Sequence, residues 1–188
     1  DFCLSRGLGD VYKRQGKDNG NGPSNAVKLD AQQDINANTI NINEQASSSS
    51  MNDQNVVLDI TLPANSNIEA TLSAGDISID GVNGTMNVKD NFGDIDFQNG
   101  TLTGISSFRQ NSGTITFNGS IADKGDYTFE TNAGLINLTL PANSAFTLDA
   151  KNNIGNVSNA FGSDSVGTNP TSQLHVKNST GEVNINKQ

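Results

Sequence analysis

Six glycines stand in the same local phrase: Gly75, Gly93, Gly113, Gly134, Gly155 and Gly181, at intervals of 18, 20, 21, 21 and 26 residues. Two positions before each stands Ser or Asn (Ser73, Asn91, Asn111, Asn132, Asn153, Ser179). Two positions after comes Ile or Val (Ile77, Ile95, Ile115, Ile136, Val157, Val183). Four positions after come Ile79, Phe97, Phe117, Leu138, Asn159 and Ile185, and the column between is polar throughout. Alternation with a period of two marks strands with one face inward. The same holds upstream of each glycine, where Ala70, Val88, Phe108, Phe129, Ala150 and Val176 lie five residues back. Each unit therefore reads as strand, Asn-x-Gly corner, strand and a variable connection.

A single such unit cannot bury its own apolar side, whereas stacked units share one core. A period near 20 residues with two strands per unit is a solenoid signature. The expected fold is all-β: a right-handed parallel β-helix, the handedness following the general preference for parallel crossovers. Val82, Leu102 and Ile121 mark a third, shorter inward segment. Upstream, "NTININ" and "NVVLDITLP" alternate similarly and are expected to form the first coils, with "EQASSSSMNDQ" protruding between them. The phrase LPANS occurs twice, at 62–66 and 140–144, each time after a strand-like run. Proline ends strand pairing and Asn-Ser continues the bend.

The core of such a chain must be thin. Leu, Ile, Val and Phe number 44 in 188 residues, little above the level of about 20% below which disorder is the rule. There are 28 Asn and 19 Gly and no Trp, a composition that favours turns over helices. The net charge is −9, which argues against nucleic acid, whose phosphates need a basic face. No apolar run is long enough to span a membrane as a helix. One cysteine, Cys3, and one histidine, His175, leave no basis for a disulfide framework, a thiolate metal cluster or a zinc site. No metal or cofactor is expected.

Residues 1–15 differ from the rest. They are basic, hold the only Cys, and include "SRGLGDVYKRQ", which resembles a translated sequencing adapter. They read as a non-native tail packing on nothing, and residues 16–25, "GKDNGNGPSN", as a linker. The domain is then 26–188, and an anchoring or signal segment is expected to have preceded it.

The ordered phrases "LPANSNIEATLSAGDISIDGVNGTMNVKDNFGDIDFQNGT", "NSGTITFNGS" and "NAGLINLTLP" resemble a bacterial family of adhesin-like domains of unknown function built from β-strand repeats. The resemblance spans about residues 26–188. It implies a right-handed parallel β-helix, a place at the cell envelope or outside the cell, and a tether upstream. It carries no catalytic residues. The chain departs from the pattern at its end, where Asn159 takes an inward position and 26 residues separate the last two glycines.

The residues that could carry chemistry are few. Asp76, Asp94 and Asp96 fall on neighbouring coils and could form the acidic face of a β-helix polysaccharide lyase or hydrolase; the plain alternative is a solvated acidic surface. Lys89, Arg109, Lys151 and Lys177 share an outward column with Glu130 and could hold an anionic glycan, or serve only solubility and charge pairing. His175 has no second histidine near it in the chain. Thr114 and Thr116 do not extend into the flat threonine lattice of ice-binding solenoids. The expected function is a non-catalytic surface module that binds glycan or protein. The alternatives are a carbohydrate-active enzyme on the acidic face and a scaffold or sensor in envelope stress.

Overall fold

The computed structural model describes the backbone of residues 10–15, 28–34, 39–45 and 56–188, with side chains from residue 60 onward. The chain divides into two compact units, residues 1–63 and 64–188. No helix occurs among the described residues.

In the first unit, β1 (Asp10–Gln15) pairs antiparallel with β4 (Val56–Thr61), and β2 (Lys28–Asp34) pairs antiparallel with β3 (Thr39–Gln45). Two expectations change here. Residues 10–15 do not stand alone: the run VVLDIT is rich in β-branched residues, and an open edge of such a strand is a template for another. "NTININ" and "NVVLDITLP" do not open the parallel series. Only four residues join β2 to β3, enough for a hairpin but not for the dozen or more that a parallel crossover needs. The expected loop lies mostly outside the described residues.

The second unit holds the repeats. In chain order they are β5 (Ile68–Leu72), β6 (Ile77–Asp80), β7 (Asn83–Gly84), β8 (Met86–Phe92), β9 (Ile95–Leu102), β10 (Ile105–Ile121), β11 (Asp126–Leu140), β12 (Phe146–Ile154), β13 (Val157–Asn159), β14 (Ser165–Val166) and β15 (Gln173–Lys187). All belong to one 11-stranded sheet, parallel except where β14 meets β12. The register is the one the glycine alignment predicts. Gly113 lies opposite Gly134, which lies opposite Gly181; Phe108 faces Phe129; Ile95 faces Ile115, which faces Ile136. The third segment is inward as expected, with Val82 and Leu102 buried and Ile121 packed on the core; Ile121 lies opposite Leu102, and Gly84 rather than Val82 lies opposite Leu102 on the other side. A bulge near Asn118 and a positive φ of 57° at Asn99 absorb the unequal lengths of the connections.

The spatial order of tiers departs from chain order. Along the sheet the strands run β5, β8, β10, β11, β15, β12, β14. The sixth repeat is thus threaded between the fourth and the fifth: β15 pairs in parallel with β11 on one side and with β12 and β13 on the other. The two irregularities in the sequence follow from this. The long last interval holds the excursion through β14 that lets the chain turn back. Asn159 tolerates its inward position because its tier is the outermost, where its amide and its Oδ1 hold a turn through Ser163 O and Phe161 N. For the same reason the Ile/Val column is not buried throughout. Ile95, Ile115, Ile136 and Val183 are fully buried, whereas Ile77 and Val157 close the two ends of the column and Val157 is 42% exposed.

The core is one apolar cluster running from Ile79 to Ile185. At its centre two pairs of rings stack across tiers, Phe97 on Phe117 at 5.0 Å and Phe108 on Phe129 at 5.1 Å. Ile115 lies in this core at 0% exposure, and its neighbour Thr116 points outward. Ile115→Ala is expected to cost about 2–5 kcal/mol, the range for large-to-small core changes. Thr116→Ala is expected to stay within about 0.5 kcal/mol. Urea unfolding of the two variants checks the register; the reverse order of effects would displace it by one residue.

Candidate functional site

The corner between the strands of each tier is built by backbone, not side chains. The six glycines have φ between 124° and 149°, a region that side-chain-bearing residues avoid. They also stack: a methyl placed on Gly113 would lie 1.8 Å from the carbonyl oxygen of Gly93, and one on Gly134 1.8 Å from that of Gly113. Glycine is required here twice over, for its dihedral and for want of space.

The acidic residues singled out from sequence serve this corner. Asp76 Oδ1 accepts the backbone N–H of Asp94 at 2.9 Å, and Asp94 Oδ1 accepts that of Thr114 at 2.8 Å. Each carboxylate thus clips its tier to the next. Asp96 stands in a different column and accepts Gln98 Nε2 at 2.6 Å. The three are near one another in the sheet, yet each is engaged in holding backbone or a neighbour.

The cationic column holds its register: Lys89, Arg109, Glu130, Lys177 and Lys151 follow one another across the tiers. Arg109 Nε lies 3.5 Å from Glu130 Oε2, and Lys151 lies 3.0 Å from Asp149. The Lys151 contact, joined by His175, holds the Asp149 carboxyl below its ordinary range. Lys89 and Lys177 have no ion partner among the described residues. His175 stands between Asp126 and Asp149, 3.7 Å from each; among the described residues no group of three such side chains has metal-site geometry.

Beside the cationic column runs a groove of ≈ 300 Å³. Its walls are Lys89, Arg109 and Glu130 on one side and Asn91, Asn111 and Asn132 on the other. The asparagines are the corner residues of the repeat, and Asn132 Nδ2 donates to Asn111 Oδ1 at 2.7 Å. The floor is made by Asp90 and Gln110, which are 1% and 5% exposed. The sequence reading passed over this floor, although its signal was present. Three residues before the glycine the alternation points inward, yet the column holds Asp90, Gln110, Thr131, Asn152 and Asn178. Polar residues at inward positions mark where a core gives way to hydrogen bonding.

A profile of the Toastrack DUF4097 family matches residues 17–187, nearly the whole chain. The chain belongs to the Toastrack DUF4097 family. Its function is unknown, and the Toastrack match agrees with the expectation of a β-strand-repeat domain of unknown function. The match begins inside the stretch read as a linker. Comparison with curated proteins and with solved structures finds no match. No helix among the described Toastrack residues is long and apolar enough to cross a membrane.

Proposed function

We propose that this domain is a non-catalytic binding module that holds an extended, carboxylate-bearing glycan along the groove beside Lys89 and Arg109. The observation that carries this reading is the groove's composition: three amides in register over three tiers, with a cation beside the amide in two of them and Glu130, which pairs with Arg109, in the third. Repeating donors at strand spacing suit a polymer with repeating acceptors. Arginine offers a planar fork matched to a carboxylate, and asparagine amides can meet hydroxyls. The net charge of −9 opposes a polyanion at long range. At physiological salt, screening over about 8 Å leaves the local cations to decide. The carbohydrate-active alternative finds less support, since Asp76 and Asp94 are spent on backbone amides.

The reading includes the finer fold, a right-handed parallel β-helix with turns of about 20 residues, displayed at the cell envelope. The parallel register between successive repeats supports it. The test is calorimetry or a glycan array with uronic-acid polymers against their neutral counterparts. Wild type is expected to bind the acidic polymers, more weakly as salt rises. The double variant Lys89→Ala, Arg109→Ala is expected to lose at least about tenfold in affinity, the equivalent of one charge-assisted contact. Equal binding of neutral polymers, or an unaffected double variant, would overturn the reading.

A further inference from the structure

The inward column three residues before each corner glycine carries a recurring contact in three of its six tiers; Leu72 and Thr131, which offer no amide, do not make it, and Asp90 is the one position where a carboxyl stands in the amide's place. In three tiers the side chain three residues before the corner glycine is an amide, and its NH2 donates to the carbonyl of the corner glycine in the adjoining tier. Gln110 donates to Gly93 O, Asn178 Nδ2 to Gly134 O at 3.0 Å, and Asn152 Nδ2 to Gly181 O at 2.8 Å. In the tier of β8 the residue is Asp90. Its position matches the others. A methyl built on Gly93 would lie 3.0 Å from Asp90 Oδ2 and 1.8 Å from Gly75 O; one on Gly155 would lie 2.9 Å from Asn152 Nδ2 and 1.7 Å from Gly181 O. Asp90 Oδ2 therefore stands where those three tiers place a donor nitrogen, beside a carbonyl oxygen.

We propose that Asp90 is held as a neutral carboxylic acid whose O–H donates to the carbonyl of Gly75, so that its ionisation loosens this corner as pH rises. An ionised carboxylate has no proton to give, and two lone-pair-bearing oxygens face to face repel each other. Asp90 is 1% exposed, and neither of its oxygens has a partner of full hydrogen-bond geometry. Burial, the largest influence, raises its pKa from the ordinary 3.8. The amides of Phe92 and Asn91 and the side chain of Gln110 pull the other way from nearby, and the negative charge of Asp76 on the preceding tier adds to the rise. The other charged groups lining this groove are Lys89 on its own strand, Arg109 on the next tier and Glu130 on the one beyond. They lie on the solvent side of the floor. Corner geometry and the burial of Asp90 carry this inference, which is independent of the glycan reading.

The direction of the effect follows from linkage. A carboxyl whose folded pKa is raised favours folding fully below its unfolded pKa, and that contribution is lost as pH rises through the folded value. Asp90→Asn supplies the amide that Asn152 and Asn178 supply in their tiers, and cannot ionise. The experiment is a pair of thermal melts across about pH 4 to about pH 8, with the Asp90 side-chain carboxyl followed by carbon NMR in the wild type. The variant is expected to match wild type at the acid end and to melt progressively higher than it as pH rises. The Asp90 carboxyl is expected to titrate above the ordinary carboxylate range. A carboxyl titrating at or below that range would overturn the proposal, even if the variant failed to fold. So would a gap between the two proteins that does not widen with pH.

Discussion

Removing residues 173–188 is expected to unfold the 64–188 unit rather than shorten it. In a plain repeat stack, losing the last repeat costs one nearest-neighbour interface. Here the last repeat is interior. β15 carries Leu174, Val176, Val183 and Ile185, all at 0% exposure, and it alone pairs with both β11 and the β12–β13 tier. Truncating one such aliphatic to Ala costs about 2–5 kcal/mol. Four of them, with two ladders of backbone hydrogen bonds, exceed the about 5–15 kcal/mol that keeps a domain folded. Circular dichroism and limited proteolysis of the shortened chain would show it: loss of the strand signal and cleavage throughout are expected. A cooperatively folded, protease-resistant fragment would contradict the threaded order.

The second large effect belongs to the corner. Gly113→Ala is expected to cost more than about 4 kcal/mol, the exceptional end of single substitutions. Its methyl would fall 1.8 Å from Gly93 O, with φ at 137°. Relief requires the tiers to move apart, which breaks the register on both sides. Gly81→Ala is the internal control, since φ is 69° there but nothing lies within 4 Å. It is expected to cost about 1–2 kcal/mol, the strain of the left-handed region by itself. Urea unfolding of both variants separates crowding from dihedral strain; equal costs would mean that glycine stacking contributes nothing.

Much of this architecture is written in the columns. The register of β8, β10 and β11 follows from the glycine alignment because each tier must present the same face to the next. The place of the sixth repeat does not follow. Its columns can pair with those of β11 and of β12, so alignment alone does not set the order; the one sign in the columns is Asn159, an inward polar residue that suits an outermost tier. The groove walls were legible as outward columns of Lys, Arg and Asn. The floor escaped because a polar residue at an inward position looks like noise in a hydrophobic pattern until its partner, a carbonyl one tier away, is known. The roles of Asp76 and Asp94 were hidden for the same reason: a carboxylate that binds backbone leaves no trace in side-chain composition.

The threading of β15 also bears on how the chain finds its shape. Apart from departures such as Asn159, the tiers offer similar columns to their neighbours, so the columns act as an address shared by several tiers. When β12 is made, the open edge of β11 is the nearest matching partner, and nothing in their apolar columns forbids direct docking. The native arrangement leaves that edge vacant until β15 arrives, a closure across residues 160–172 with its attendant loop entropy. A direct β11–β12 pairing, if it formed, would be a compact competitor that had to open before the chain could finish. Repetition, which makes the core cheap to specify, makes the order of its layers a matter of timing.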